Sequence, residues 1–164
     1  MDISIVILTY NRPDMLAENL RGLSALRDRV RELIVVDNSS NDETGELVAS
    51  DFDWVDYVRN DNSAGVAGRN TGMDRAVGEI VVTLDDDVTG LAIDDLDLVA
   101  SAFADDDELG GLCFRVLHHE TGEVCNWCHH RRDGSNPGEF ISMDGTCCLW
   151  TRATCGRFGG TTYP

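Results

Sequence analysis

The sequence predicts an α/β domain built on a mostly parallel sheet with helices on both faces. Three observations carry this reading. Short, nearly all-apolar, β-branched runs recur at residues 3–8, 33–36 and 79–84, the pattern of strands buried on both sides. Segments of helical periodicity separate these runs. Each run also closes on a polar cluster, beginning at Thr9, Asp37 and Asp85.

Residues 3–8, Ile-Ser-Ile-Val-Ile-Leu, read as the first strand. Pro13 suits a first helical turn, where a missing N–H costs nothing, and Met15, Leu16, Leu20, Leu23 and Leu26 recur at helical spacing. Residues 33–36 make the second strand, and the polar turn 37–42 leads into a short helix over 43–49. Residues 54–59 alternate weakly and predict a third strand. A turn at 62–65 precedes a glycine-containing helix over 66–77. Residues 79–84 form the fourth strand and 93–103 another helix. Beyond about residue 108 the pattern changes. Residues 112–117, 120–123 and 124–128 predict a β-hairpin, 131–138 a loop, and 140–150 a return to the sheet. No repeat, linker or low-complexity tract intervenes, so residues 1–164 read as one domain of two halves.

Composition narrows the chemistry. Asp and Glu number 30 against 13 basic residues, a net charge of −17, and every basic residue is Arg. Without Lys there is no P-loop phosphate cradle and no Schiff-base nucleophile. A basic stripe for nucleic acid is equally implausible at this charge, so no nucleic-acid partner is expected. Abundant Asp with no Lys resembles proteins of salt-accumulating halophiles, the alternative being an acidic mesophile protein that uses Arg. No signal-like segment and no 18-residue apolar run is present, so a cytoplasmic location and reduced thiols are expected for the six Cys.

In parallel α/β sheets, ligands sit beyond the carboxyl ends of the strands. The clusters Thr9-Tyr10-Asn11-Arg12, Asp37-Asn38-Ser39 and Asp85-Asp86-Asp87 should therefore converge on one crevice, bordered by helix starts at Asp42 and Gly65. Adjacent carboxylates repel unless a cation lies between them, and hard oxygen donors suit Mg²⁺ or Mn²⁺. In a chain this acidic, a solvated acidic turn is the plain alternative. Asp37 to Ser39 read equally as a turn capping the next helix. Residues 60–72 lack the G-x-G-x-x-G dinucleotide pattern. They read either as a helix with packing glycines and a surface Arg69, or as a segment whose Arg69 meets an anion or base.

Together, "ISIVILTYNRPDML", "ELIVVDNSSNDET", "NDNSAGVAGRNTGMDRAVGEIVVTLDDDV" and, less sharply, "FISMDGTCCLWTRATCGRFGG" resemble glycosyltransferase family 2, with its Rossmann-like GT-A fold. The resemblance implies that Thr9, Tyr10, Asn11 and Arg12 frame the base and ribose. It implies that Asp37, with Asn38 and Ser39 beside it, accepts a hydrogen bond from a pyrimidine N–H. Asn62 and Gly65 then belong to the binding turn, and Arg69 and Asn70 lie near base and sugar. Asp85 and Asp87 fall on the family's D-x-D motif around Asp86, with Asp85 near ribose or sugar and Asp87, joined by Asp85, on the metal, Mg²⁺ or Mn²⁺. The implied activity is metal-dependent, inverting transfer from a nucleotide-diphosphate sugar to a hydroxyl of a glycan, glycolipid or lipid-phosphate acceptor. Residues 1–89 would be the nucleotide-sugar-binding half and 90–164 the start of the acceptor half. Peripheral association with the cytoplasmic face of the membrane is compatible with this.

The family places its catalytic base in an acidic pair beyond a Gly-Gly-Phe-like segment. Here Arg157-Phe158-Gly159-Gly160 is followed by only four residues, and Asp144 is the nearest internal candidate base. The expectation is a C-terminally truncated enzyme, the alternative a non-catalytic nucleotide-sugar- and metal-binding fragment. Cys125-Asn126-Trp127-Cys128-His129-His130 matches a c-type haem attachment pattern, which would need export, and could supply zinc ligands with Cys113, Cys147, Cys148 or Cys155. Small buried residues with a surface His are the plainer reading. Trp127 and Trp150 suit either an acceptor-sugar surface or a core. A receiver-like domain would need a late Lys. A nucleotidyltransferase would need a glycine-rich basic loop where Tyr10-Asn11-Arg12-Pro13 stands.

Overall fold

The structure is a computed structural model that describes residues 1–60, 65–114, 120–121 and 149–152. Its elements run β1 (Ile3–Thr9), α1 (Pro13–Leu23), β2 (Glu32–Asp37), α2 (Glu43–Asp51), β3 (Asp56–Arg59), α3 (Arg69–Arg75), β4 (Ile80–Asp85), α4 (Ile93–Asp105), β5 (Gly111–Cys113) and β6 (Leu149–Arg152). Short 3₁₀ turns at Ser24–Leu26 and Gly65–Gly68 follow α1 and precede α3. The six strands lie in the order β3-β2-β1-β4-β6-β5. The first four are parallel, and β6 runs antiparallel to both β4 and β5.

The central strands are apolar on both faces because both faces are covered. Ile3, Ile5 and Ile7 of β1, Leu33 and Val35 of β2, and Val82 and Leu84 of β4 pack on one side. They meet Leu16, Leu20 and Leu23 of α1, Val48 of α2, and Leu96, Val99 and Phe103 of α4. The alternate residues Val6, Ile34, Val36 and Val81 face the opposite side, against Met73 of α3 and Ala76. Each fully buried Leu, Ile or Phe contributes roughly 1.5–3 kcal/mol of transfer free energy, so the larger first layer carries most of the stabilisation.

The helix expected over residues 66–77 is shorter and begins with the 3₁₀ turn. Two glycines explain its close approach to the sheet. A Cβ on Gly72 would sit 2.4 Å from Val6 Cγ1, and one on Gly68 would sit 2.8 Å from Asn38 Oδ1. The other helices and strands match expectation within a few residues at each end. Among the described residues β5 pairs with β6, Leu112 opposite Trp150. The hairpin's second arm, the 131–138 loop and the Cys125 to His130 cluster lie outside the described residues. The expected return to the sheet is made by β6 beside β4.

Candidate functional site

Chain order reverses at β1: β2 and β3 lie to one side of it and β4 to the other. A crevice opens beyond the strand ends at such a switch point. It is bounded by the loop after β1, carrying Thr9 to Arg12, and the turn after β4, carrying Asp86 and Asp87.

Strand alternation sorts the acids. Asp85 is in register with Leu8, on the face covered by α3, and forms an ion pair with Arg69 at the start of that helix. Asp86 turns to the opposite face, beside Thr9. There the Thr9 hydroxyl donates to Asp86 Oδ2 at 2.8 Å. Arg12 Nη1 lies 3.3 Å from Asp86 Oδ1 and 3.3 Å from Asp87 Oδ2, bridging the two. Asn19, a buried polar residue of α1, donates from Nδ2 to the Asp85 carbonyl at 3.1 Å and fixes the strand end from below. Burial pushes the Asp86 carboxyl up from its ordinary value, opposed by the Thr9 hydrogen bond and the Arg12 charge and reinforced by Asp87.

A solvated acidic turn would expose all three carboxylates. Asp86 instead is 5% exposed and Arg69 only 7%, so the reading of Arg69 as a surface residue is overturned. Only the Asp87 side chain, 42% accessible, is open to solvent.

The second cluster lies one strand over, where Thr9 and Asp37 are in register. Asp37 is fully buried. Its Oδ1 accepts the Ser39 N–H at 2.8 Å, and its Oδ2 accepts the Tyr57 hydroxyl at 2.8 Å. An acceptor standing open to a base is therefore not what the structure shows: an Asx turn and a tyrosine from β3 occupy both oxygens. The Tyr57 hydroxyl is pushed well above the ordinary phenol range, chiefly by burial and then by the Asp37 hydrogen bond and charge. Asn38 donates from Nδ2 to the Gly65 carbonyl at 2.9 Å and accepts from Asn60 Nδ2 at 2.8 Å, tying the segment before α3 to β2. The Asn11 N–H donates to Ser39 Oγ at 2.7 Å, with Asn11 in the left-handed region at φ 53°.

Thr9, Arg12, Asp37, Asn38, Ser39, Gly65, Arg69, Asp85, Asp86 and Asp87 thus gather along one edge of the sheet. Tyr10 stands exposed at the same edge, and Asn70 follows Arg69 on α3. Asn62 and Asp144 lie outside the described residues. Sequence reasoning missed Asn19, Tyr57 and Asn60. Asn19 had a signal, as the one polar member of the helical face formed by Leu16, Leu20 and Leu23.

Among the described residues no three His, Cys, Asp or Glu side chains converge as a metal-ligand set. Asp87 offers an exposed hard oxygen. Such a donor fits Mg²⁺ or Mn²⁺ where waters and ligand phosphates complete the coordination, which is how these ions are usually held.

Sheet order and layering define an α/β domain of the GT-A type. The chain belongs to glycosyl transferase family 2, whose model matches residues 4–154. It is 34% identical over 90 residues to a GalNAc(5)-diNAcBac-PP-undecaprenol beta-1,3-glucosyltransferase of Campylobacter jejuni, spanning 52% of this chain and 29% of that protein. It is 33% identical over 94 residues to an undecaprenyl-phosphate 4-deoxy-4-formamido-L-arabinose transferase of Pseudomonas fluorescens, spanning 52% and 28%. A mannosyltransferase of Pyrobaculum calidifontis, solved in complex with GDP-Man and Mn²⁺, superposes with a TM-score of 0.60 at 29% identity, covering 71% of this chain and 35% of that one. Staphylococcus aureus TarS residues 1–349, solved with UDP-GlcNAc, gives 0.54 at 25% identity, covering 64% and 32%. The chain therefore spans about a third of the length of these relatives.

Proposed function

We propose that this chain binds a nucleotide-diphosphate sugar at the β1/β4 switch point and transfers the sugar, with inversion, to an acceptor hydroxyl. The observation that carries the reading is the pair of arginine–aspartate contacts at the crevice, Arg69 on Asp85 and Arg12 on Asp86 and Asp87. They set two cations and one accessible carboxylate where a diphosphate would lie. Family membership and the nucleotide-sugar complexes of two structural relatives support it.

Each residue has a task in this reading. The Thr9 to Arg12 loop frames base and ribose, and Asn38, Ser39, Asn60 and Tyr57 hold the Asp37 corner rigid. Arg69 fixes Asp85 toward ribose or sugar. Asp87, with Asp85 behind it, would hold a divalent cation, which when bound neutralises charge on the departing diphosphate. The acceptor's proton passes to a carboxylate, for which Asp144 is the internal candidate. Two sequence relatives are named for undecaprenyl-linked chemistry, which supports a lipid-phosphate acceptor. No helix among the described residues is long and apolar enough to cross a membrane. The charge of −17 supports a salt-rich milieu.

The test is a calorimetric screen of UDP-, GDP- and ADP-sugars in multimolar KCl with Mn²⁺ or Mg²⁺. Binding of UDP- or GDP-sugars in preference to ADP-sugars is expected, in line with the GDP-Man and UDP-GlcNAc complexes of the two structural relatives. Absence of binding to any of them refutes the reading. Binding without transfer favours the non-catalytic alternative.

A further inference from the structure

We propose that Arg12 is a built-in competitor of the divalent cation at Asp87, and that a diphosphate relieves the competition by drawing Arg12 to itself. This rests on the donor-site reading above and goes beyond it by coupling cation and nucleotide through one side chain.

Three observations carry the inference. First, one Arg12 nitrogen touches both Asp86 and Asp87 at 3.3 Å. A dication on Asp87 would lie within contact distance of a guanidinium, and the two would repel. Second, the partners are unequal. Asp86 is buried and held by Thr9, whereas Asp87 is exposed and has no such tether. Asp87 is thus the member that can exchange Arg12 for another cation. Third, the Arg12 backbone is fixed while its side chain, although bonded to Asp86 and Asp87, lies largely in solvent. Arg12 is the N-cap of α1, its carbonyl accepts the Leu16 N–H at 3.0 Å, and Pro13 follows it. Behind it, Asn11 is pinned to Ser39. The Arg12 side chain is nevertheless 54% accessible.

Asp85 is already balanced by Arg69. With Arg12 in place, the Asp85 to Asp87 turn carries a single net negative charge, a weak attraction for a hydrated dication. A guanidinium fork matches phosphate oxygens better than it matches two carboxylates approached by one nitrogen. An arriving diphosphate therefore gives Arg12 a better partner and uncovers Asp87. Cation and nucleotide then reinforce each other, and by linkage the gain is mutual.

The experiment measures Mn²⁺ binding to the full 164-residue chain by the EPR signal of free aquo-Mn²⁺, at one fixed high KCl concentration, with and without UDP or GDP. Arg12→Gln is expected to tighten Mn²⁺ binding without nucleotide by roughly three- to tenfold, the scale of one removed charge near a solvated dication. It should also shrink the nucleotide-induced gain in Mn²⁺ affinity. Arg12→Lys keeps the charge and loses the fork, so nucleotide-free Mn²⁺ affinity should stay near the parent value while the gain falls at least about threefold. Asp87→Asn should abolish Mn²⁺ binding in every background. Unchanged or weaker Mn²⁺ binding by Arg12→Gln, at parental far-UV circular dichroism, overturns the proposal. If Arg12→Gln does not fold, an undiminished nucleotide gain in Arg12→Lys overturns it instead. Nucleotide binding that persists while Mn²⁺ ignores Arg12 refutes this inference alone; no nucleotide binding by the parent chain refutes the donor-site reading as well.

Discussion

Replacing Gly72 by Ala tests whether α3 is held against the sheet by close contact. The new Cβ would meet Val6 Cγ1 at 2.4 Å and Val36 Cγ2 at 3.0 Å. Both valines are buried, Val6 in β1 and Val36 in β2, and β-branched side chains there have little rotamer freedom. Overpacking of this kind costs about 1–3 kcal/mol, and at 2.4 Å the upper part of that range applies. Helix propensity returns about 1 kcal/mol, since Ala is favoured over Gly inside a helix. The net is a loss of about 1–2 kcal/mol, or roughly 2–8 °C in Tm for a chain of this size. Relief would come by α3 lifting from the sheet, which carries Arg69 away from Asp85, so nucleotide affinity should fall as well. Gly22 in α1 provides the contrast: a Cβ there meets nothing within 4 Å. Gly22→Ala should stabilise by up to about 1 kcal/mol. Thermal melts of both variants in multimolar KCl decide the matter. A Gly72→Ala variant that melts at or above the parent would refute the packing argument.

Tyr57→Phe removes one of the two donors to buried Asp37 and should destabilise by about 1.5 kcal/mol, the lower end for a bond to a charged group. The raised Tyr57 pKa makes this contribution fully present below pH ~10 and lost as pH rises through the folded value, so parent and variant melts should converge in strong alkali. Asp87→Ala should abolish the Mn²⁺ enhancement of nucleotide binding and leave the melting temperature near the parent value, because the side chain is exposed at a strand end; parental Mn²⁺ enhancement would return the turn to a merely acidic role. Transfer from multimolar KCl to dilute buffer should lower stability measurably, as unscreened repulsion within a −17 chain predicts; a melt indifferent to salt would count against the halophilic reading.

The fold was legible where burial on both faces wrote an unbroken apolar signal. Residues 3–8, 33–36 and 79–84 could only be strands packed on two sides, and Leu16, Leu20 and Leu23 could only face a core. Legibility fell where long-range pairing decides. Nothing local to residues 111–113 marks a partner nearly forty residues away, and the nearer turn made a hairpin the natural expectation. The site divided in the same way. Its acids and arginines were visible as strand-end clusters, a positional signal. Their partners were not. That Asp37 is closed by Tyr57 follows from the register of β3 on β2, which weak alternation over residues 54–59 did not reveal. Arg69 stayed open between a surface position and an anion contact because Gly68 and Gly72 blur the helical periodicity, and these are the residues that let α3 sink onto β1 and β2 and bury it.

Arg69 is buried and its partner Asp85 is largely shielded from water, which bears on the purpose of the pair. Taking two charges out of water costs several kcal/mol per ion, and a hydrophobic pair of similar volume is often at least as stable. The flanking positions Leu8 and Val36 show that this layer accommodates apolar side chains. Stability alone does not call for a charged pair here. Nor does composition: with 30 acids and 13 arginines, an arginine is the scarcer residue, and a solvated surface would be the default place for it. The site nonetheless holds two, one buried on Asp85 and one bridging Asp86 and Asp87, on opposite faces of a single strand end. Alternation along β4 makes this possible, since consecutive carboxylates point to opposite sides and each side supplies its own cation. The result is a fixed pair that orients and an exposed pair that can exchange. That division is what the proposed donor site calls for, a strand end that keeps its shape while a diphosphate enters and leaves.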